Sequence, residues 1–191
     1  MTVSADRKAP TVRIQPSAAA AIVVPLLIGA AVATALGVYG KVHDPRFFSV
    51  NVAGFSSPMA VKTWLATLAT ALALFQFASA LSMYGKIRGF APSWIGVAHV
   101  WSGRLAVLAS VPVAVHCLYA MGFQDYQTRV LLHSLFGCFF YGAFVAKMLL
   151  LTRKGLPGWV IPVAGGLTLS GLVGIWLTSA LWFFQHNGIT F

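Results

Sequence analysis

Five histidines, His43, His99, His116, His133 and His186, are the side chains of this 191-residue sequence best suited to chemistry. Its only carboxylates are Asp6, Asp44 and Asp125. It offers no zinc-type spacing, no phosphate-binding glycine loop in soluble context and no Ser/His/Asp set. His116 and His133 flank the turn residues Gly122-Phe123-Gln124-Asp125. If that turn joins two helices, the imidazoles stand at one depth on adjacent antiparallel helices, each about one turn from a helix end. Two neutral imidazoles at matched height can fill both axial positions of a single haem b iron. Gly137, one turn after His133, leaves room for the edge of a macrocycle, and Arg129, one turn before it, offers a cation to a propionate. Phe136, Phe140, Tyr141 and Trp101 are candidate walls, although aromatic residues in such segments more often fill the core or face lipid. A lone intramembrane histidine is equally well explained by a hydrogen bond across helices. The joint register of Arg129, His133, Gly137 and His116 is what favours haem.

His99 stands apart. On a straight helix it lies about 25 Å from His116 along the axis and about 100° away in azimuth, so the two cannot share a haem. It begins a second His-x-x-x-Gly frame, His99-Val-Trp-Ser-Gly103, followed by Arg104. A second haem there needs another ligand, such as Met83, Met148 or a residue of another subunit. Arg104 is an intramembrane cation without a carboxylate, which marks a functional candidate. Its partner is expected to be a propionate, a lipid phosphate, backbone carbonyls or the oxygen of a quinone held with His99 and Gln76. His43 and His186 read as solvated loop residues, and Cys117 and Cys138 as small buried thiols.

These residues must be positioned by helices that live in lipid. A span of about 30 Å of hydrocarbon needs roughly 20 apolar residues, and five stretches qualify: about 18–39, 60–84, 97–120, 128–151 and 159–184. Helices are expected because unpaired strand edges cannot be satisfied in lipid. Pro25, Pro112 and Pro162 predict local kinks, and Gly166, Ser170 and Gly174 form a smooth ridge for helix packing. The expected architecture is an all-α integral membrane bundle over 17–186, with a mobile cytoplasmic tail at 1–16 and an outward tail at 187–191. Basic residues bias one side, with Arg7, Lys8 and Arg13 before the first span, Lys86 and Arg88 after the second, and Arg153 and Lys154 after the fourth. They predict a cytoplasmic N-terminus, an outward C-terminus and a multi-pass protein of the cell membrane.

Thirteen Lys and Arg against three acids give a net charge of +10, with mean hydropathy +0.83. This excludes a disordered chain, a disulfide scaffold and an ordinary soluble enzyme. A nucleic-acid partner is not expected, because the positive charge sits in loops between apolar runs. No span holds a carboxylate, which argues against a carboxylate-based pump.

The run His99-Val-Trp-Ser-Gly-Arg104 to His116, with Arg129-Val-Leu-Leu-His133-Ser-Leu-Phe-Gly137, resembles the haem-binding helix pair of the cytochrome b561 and ferric-reductase-like membrane superfamily. The likeness covers roughly 94–152. The chain also resembles small five-span actinobacterial membrane proteins of unestablished role. The superfamily resemblance implies b haem, electron transfer at or across the membrane, and a quinone or redox partner protein. Dihaem members carry two stacked histidine pairs, whereas this chain has one pair and an orphan, so one haem near the outer face is expected. Two rival expectations are a haem-free membrane scaffold or assembly subunit and a quinone-binding anchor of a larger oxidoreductase.

Overall fold

The computed structural model describes residues 18–191, so the tail expected over 1–16 lies outside the described residues. The described residues are helical and contain no strand: α1 Ala18–Val42, α2 Pro58–Met83, α3 Ile95–Val115, α4 Thr128–Leu151, α5 Val160–Thr178 and α6 Ala180–Asn187. A π-helical turn, His116–Met121, continues α3. Five spans are long and apolar enough to cross a membrane, the last running through α5 and α6. The chain is a multi-pass helical membrane protein. Large apolar side chains cover its outside, as Leu27 and Leu108 illustrate, and this is the surface a bilayer solvates.

Local chemistry sets the helix ends. Ser57 caps α2 by accepting the Ala60 N–H at 3.1 Å, and Pro58 occupies the first turn, where its missing N–H costs nothing. Pro112 cannot donate a backbone hydrogen bond, and one turn later, at His116, whose N–H is shared between the carbonyls of Pro112 and Val113, the α-helix gives way to the wider π-helical turn. Gly122, at φ 70°, then lets the chain leave the helix. The fifth span is broken at Ser179 (φ −125°, ψ −70°), dividing the expected 159–184 helix into α5 and α6. Residues 188–191, expected as a tail, lie against α2: Phe191 stacks on Trp64 at 4.5 Å, and Trp64 Nε1 donates to the Thr190 carbonyl at 2.8 Å.

Packing runs α3–α2–α5–α4–α1. The α1 and α4 backbones meet at Gly29 and Gly142, where a Cβ on either would lie 2.5 Å from the other's carbonyl oxygen. On α5 the packing glycines are Gly171 and Gly174, which face Phe139, Phe140 and Phe136 of α4. The expected ridge therefore holds only at Gly174: Gly166 meets nothing within 4 Å, and Ser170 is exposed. Helices α3 and α4 are joined side by side by one hydrogen bond, Tyr141 Oη to Ser110 Oγ at 3.0 Å, and are not a closely packed pair. Inside the bundle, α2 presents Thr63, Thr70, Ser79 and Ser82 as buried polar side chains. Thr70, Ser79 and Ser82 each donate to a backbone carbonyl, and among the described residues no fully buried side-chain nitrogen or oxygen lacks a partner.

Candidate functional site

The helix break at Ser179 organises one end of the bundle. The Thr178 carbonyl beside the break accepts from Arg129 Nη1 at 2.7 Å, and the Arg129 guanidinium lies over the Trp182 ring at 4.2 Å. The Thr178 hydroxyl sits 3.3 Å from His133 Nδ1. Arg129 and His133, one turn apart on α4, thus converge on one residue of α5, as their spacing predicted that they share a face.

Hydrogen-bond bookkeeping fixes the His133 tautomer. The single Thr178 hydroxyl proton goes to the Gly174 carbonyl, 2.7 Å away, so Oγ1 must accept from His133 Nδ1–H. Nε2 then carries the lone pair and makes no hydrogen bond to a side chain, while the Ile175 carbonyl also lies against the ring. A histidine anchored through Nδ1 with a bare Nε2 has the posture of a metal ligand. A Cβ placed on Gly137, one turn along, would meet nothing within 4 Å, in contrast to the crowded Gly142 and Gly174.

His116 has the opposite posture. Its Nε2 lies 2.9 Å from the Phe48 carbonyl, which can only accept, so Nε2 bears the proton. Nδ1 is left to accept from Lys62 Nζ at 3.4 Å. The Phe48 ring packs edge-on against the imidazole at 5.5 Å. No direct contact joins His116 to His133, but Lys62 acts electrostatically on both. Lys62, which sequence reasoning does not single out, is brought beside His116 by the start of α2. Its position one turn into α2 with no acid nearby was the available signal.

At the other end of the bundle, His99 Nδ1 lies 2.8 Å from Ser79 Oγ and 3.1 Å from the Gln76 carbonyl. Ser79 gives its own proton to that same carbonyl, so His99 is also protonated on Nδ1 and bare at Nε2. The Gln76 amide donates to the His99 carbonyl at 3.0 Å and fills the space that a Cβ on Gly103 would need. Gly103 therefore serves Gln76 and leaves no open edge. Lys147 acts electrostatically on His99 from α4. Arg104 does not join this cluster: it is exposed and lies over the Trp101 ring at 5.1 Å. His99 and Gln76 are brought together as expected, without Arg104.

Of the two remaining histidines, His43 is half-buried and His186 is exposed at the end of α6. His43 is stacked between Tyr39 at 5.0 Å and Tyr119 at 4.8 Å, and His186 packs on Trp182 at 4.4 Å. Among the described residues, no group of three or more His, Cys, Asp or Glu side chains is placed to hold a metal ion, so any metal here depends on paired histidines.

No curated protein and no solved structure matches the chain. A family model described as a family of unknown function (DUF6529) matches residues 22–191, and the chain belongs to that family.

Proposed function

We propose that the chain is a membrane b-type cytochrome, in which His133 and His116 hold one haem b near the outer face and Arg129 stands beside a propionate. The observation that carries this reading is His133: its Nδ1 faces the Thr178 hydroxyl, whose own proton is directed at a backbone carbonyl, and Gly137 leaves open space one turn along. The loose approach of α3 and α4 agrees with it, because closely packed helices at about 8–10 Å leave no width for a macrocycle. His116 fits on one condition: its imidazole must exchange the Phe48 carbonyl for the metal and carry its proton on Nδ1. Bound there, haem supplies a one-electron iron couple. The protein's own residues orient the imidazoles, place the Arg129 charge and keep water from the bundle. The electrons would pass between a quinol or partner redox subunit and an acceptor outside the cell membrane, with the N-terminus in the cytoplasm. The resemblance of residues 94–152 to the cytochrome b561 and ferric-reductase-like superfamily supports the same assignment.

A second reading is favoured by the Gln76–His99–Ser79 cluster, whose bare Nε2 and amide suit the oxygen of a quinone in a membrane anchor. Purification from haem-replete cells and pyridine haemochrome quantification per chain separate these readings. The cytochrome predicts about one haem per chain and a b-type band that His133→Ala abolishes and His116→Ala abolishes or shifts. A colourless wild-type protein overturns it in favour of a quinone anchor or a haem-free scaffold, and a band indifferent to both substitutions overturns the ligand assignment.

A further inference from the structure

A cavity of about 300 Å³ opens between the 43–59 connection, the start of α2 and the π-helical turn. Phe47, Phe48, Met59 and Met121 form apolar walls, Lys62 and His116 are its ionisable groups, and Ser49 and Ser57 add hydroxyls. Lys62 is half-buried and turned under the connection toward His116. Its ammonium has three N–H donors. Nδ1 of His116 takes one, and no other protein acceptor takes the remaining two. Nor is a carboxylate at hand: the single ion pair among the described residues is Lys41–Asp125.

The backbone around the cavity is held in an unusual form. Phe47 has φ 47°, the only non-glycine residue at positive φ among the described residues, and is pinned by its N–H to the Ala120 carbonyl at 3.0 Å. A bulky side chain in that region is strained, and such strain persists where the surroundings fix it, often at ligand clamps. The opposite wall is the π-helical turn, a feature also frequent at functional sites.

We propose that this cavity is a binding site for an organic anion, its anionic oxygens on Lys62 Nζ and its apolar part between the phenylalanine and methionine walls. A half-buried cation with spare donors is best completed by a charge-assisted acceptor, and apolar walls with a few convergent polar groups are the usual form of a small-molecule site. The site stands on the Lys62 geometry and does not require haem. The anion can come from solution or from the headgroup of an anionic lipid at the same membrane surface.

Benzoate, with benzyl alcohol as its uncharged counterpart, tests the proposal by isothermal titration of the full-length protein in phosphatidylcholine nanodiscs. Benzoate is expected to bind at least tenfold more tightly than benzyl alcohol. Lys62→Met should weaken benzoate at least tenfold, while Lys62→Arg and the loop control Lys154→Met should retain it. Loss of benzoate binding in phosphatidylglycerol nanodiscs assigns the site to a lipid headgroup, and retained binding assigns it to a soluble anion; both support an anion site. Equal affinity for the two probes, absence of benzoate binding in both nanodiscs, or benzoate binding indifferent to Lys62→Met overturns it. Haem content, scored separately on the same preparations, reports on the cytochrome reading alone.

Discussion

Thr178 shows how one hydroxyl can decide the chemistry of a histidine. By giving its proton to Gly174 it obliges His133 to carry a proton on Nδ1, and so leaves Nε2 bare. Thr178→Val removes that acceptor and leaves the Ile175 carbonyl as the remaining partner of the His133 ring, at an expected cost of about 0.5–1.5 kcal/mol for the one hydrogen bond, measurable by equilibrium unfolding in detergent. If His133 holds haem, the same substitution should weaken cofactor retention by roughly 10–100-fold, the usual effect of losing a partner behind a metal-bound histidine. An unaltered unfolding curve would show that the hydroxyl contributes nothing to the His133 tautomer. Sequence spacing made Arg129, His133 and Gly137 legible, because residues one helical turn apart share a face. It could not supply Thr178, which lies 45 residues from His133 and meets it only through packing. Nor could it show that the Phe48 carbonyl occupies His116, since that carbonyl belongs to an irregular connection whose path no periodicity encodes.

Among the helices, two glycines of α4 should respond to the same substitution in opposite ways. Gly142→Ala puts a Cβ against the Gly29 carbonyl and should cost about 1–3 kcal/mol through overpacking. Gly137→Ala enters open space and should leave stability unchanged or raise it by a few tenths of a kcal/mol from helix propensity. Unfolding of the two variants in one detergent decides the matter, and equal losses would contradict the close α1–α4 crossing. The five spans themselves were legible because lipid demands long apolar helices. Their internal breaks were less so. Pro112 announced a disturbance in the third span. The interruption at Ser179 carries neither proline nor glycine, in a run that is apolar on both sides, and its signal is the tertiary contact of Arg129 with the freed carbonyl.

For the molecule as a whole, the distribution of Lys and Arg carries the prediction of orientation. A reporter active only in the cytoplasm, inserted in the 152–156 connection, should be active; in the 41–59 connection it should be silent. The reverse result would invert the proposed topology and place the Lys62 cavity on the cytoplasmic side. Helix pairing was not legible, because apolar spans of similar hydropathy carry no partner code; the close approaches lie at particular small residues such as Gly29, Gly142 and Gly174.

One pairing bears on how the protein is made. Helix α1 is made before the elements it packs on most closely, α4 and the π-helical turn. Both follow two intervening spans or lie at the end of the second of them. Until α4 is synthesised, α1 is without the Gly142 surface that covers its Gly29 face in the finished bundle. Its span is accordingly the most apolar of the five, with mean hydropathy 2.4 against 1.6 to 1.8 for the others. The order of synthesis thus gives a reason for a composition that the finished bundle alone does not require.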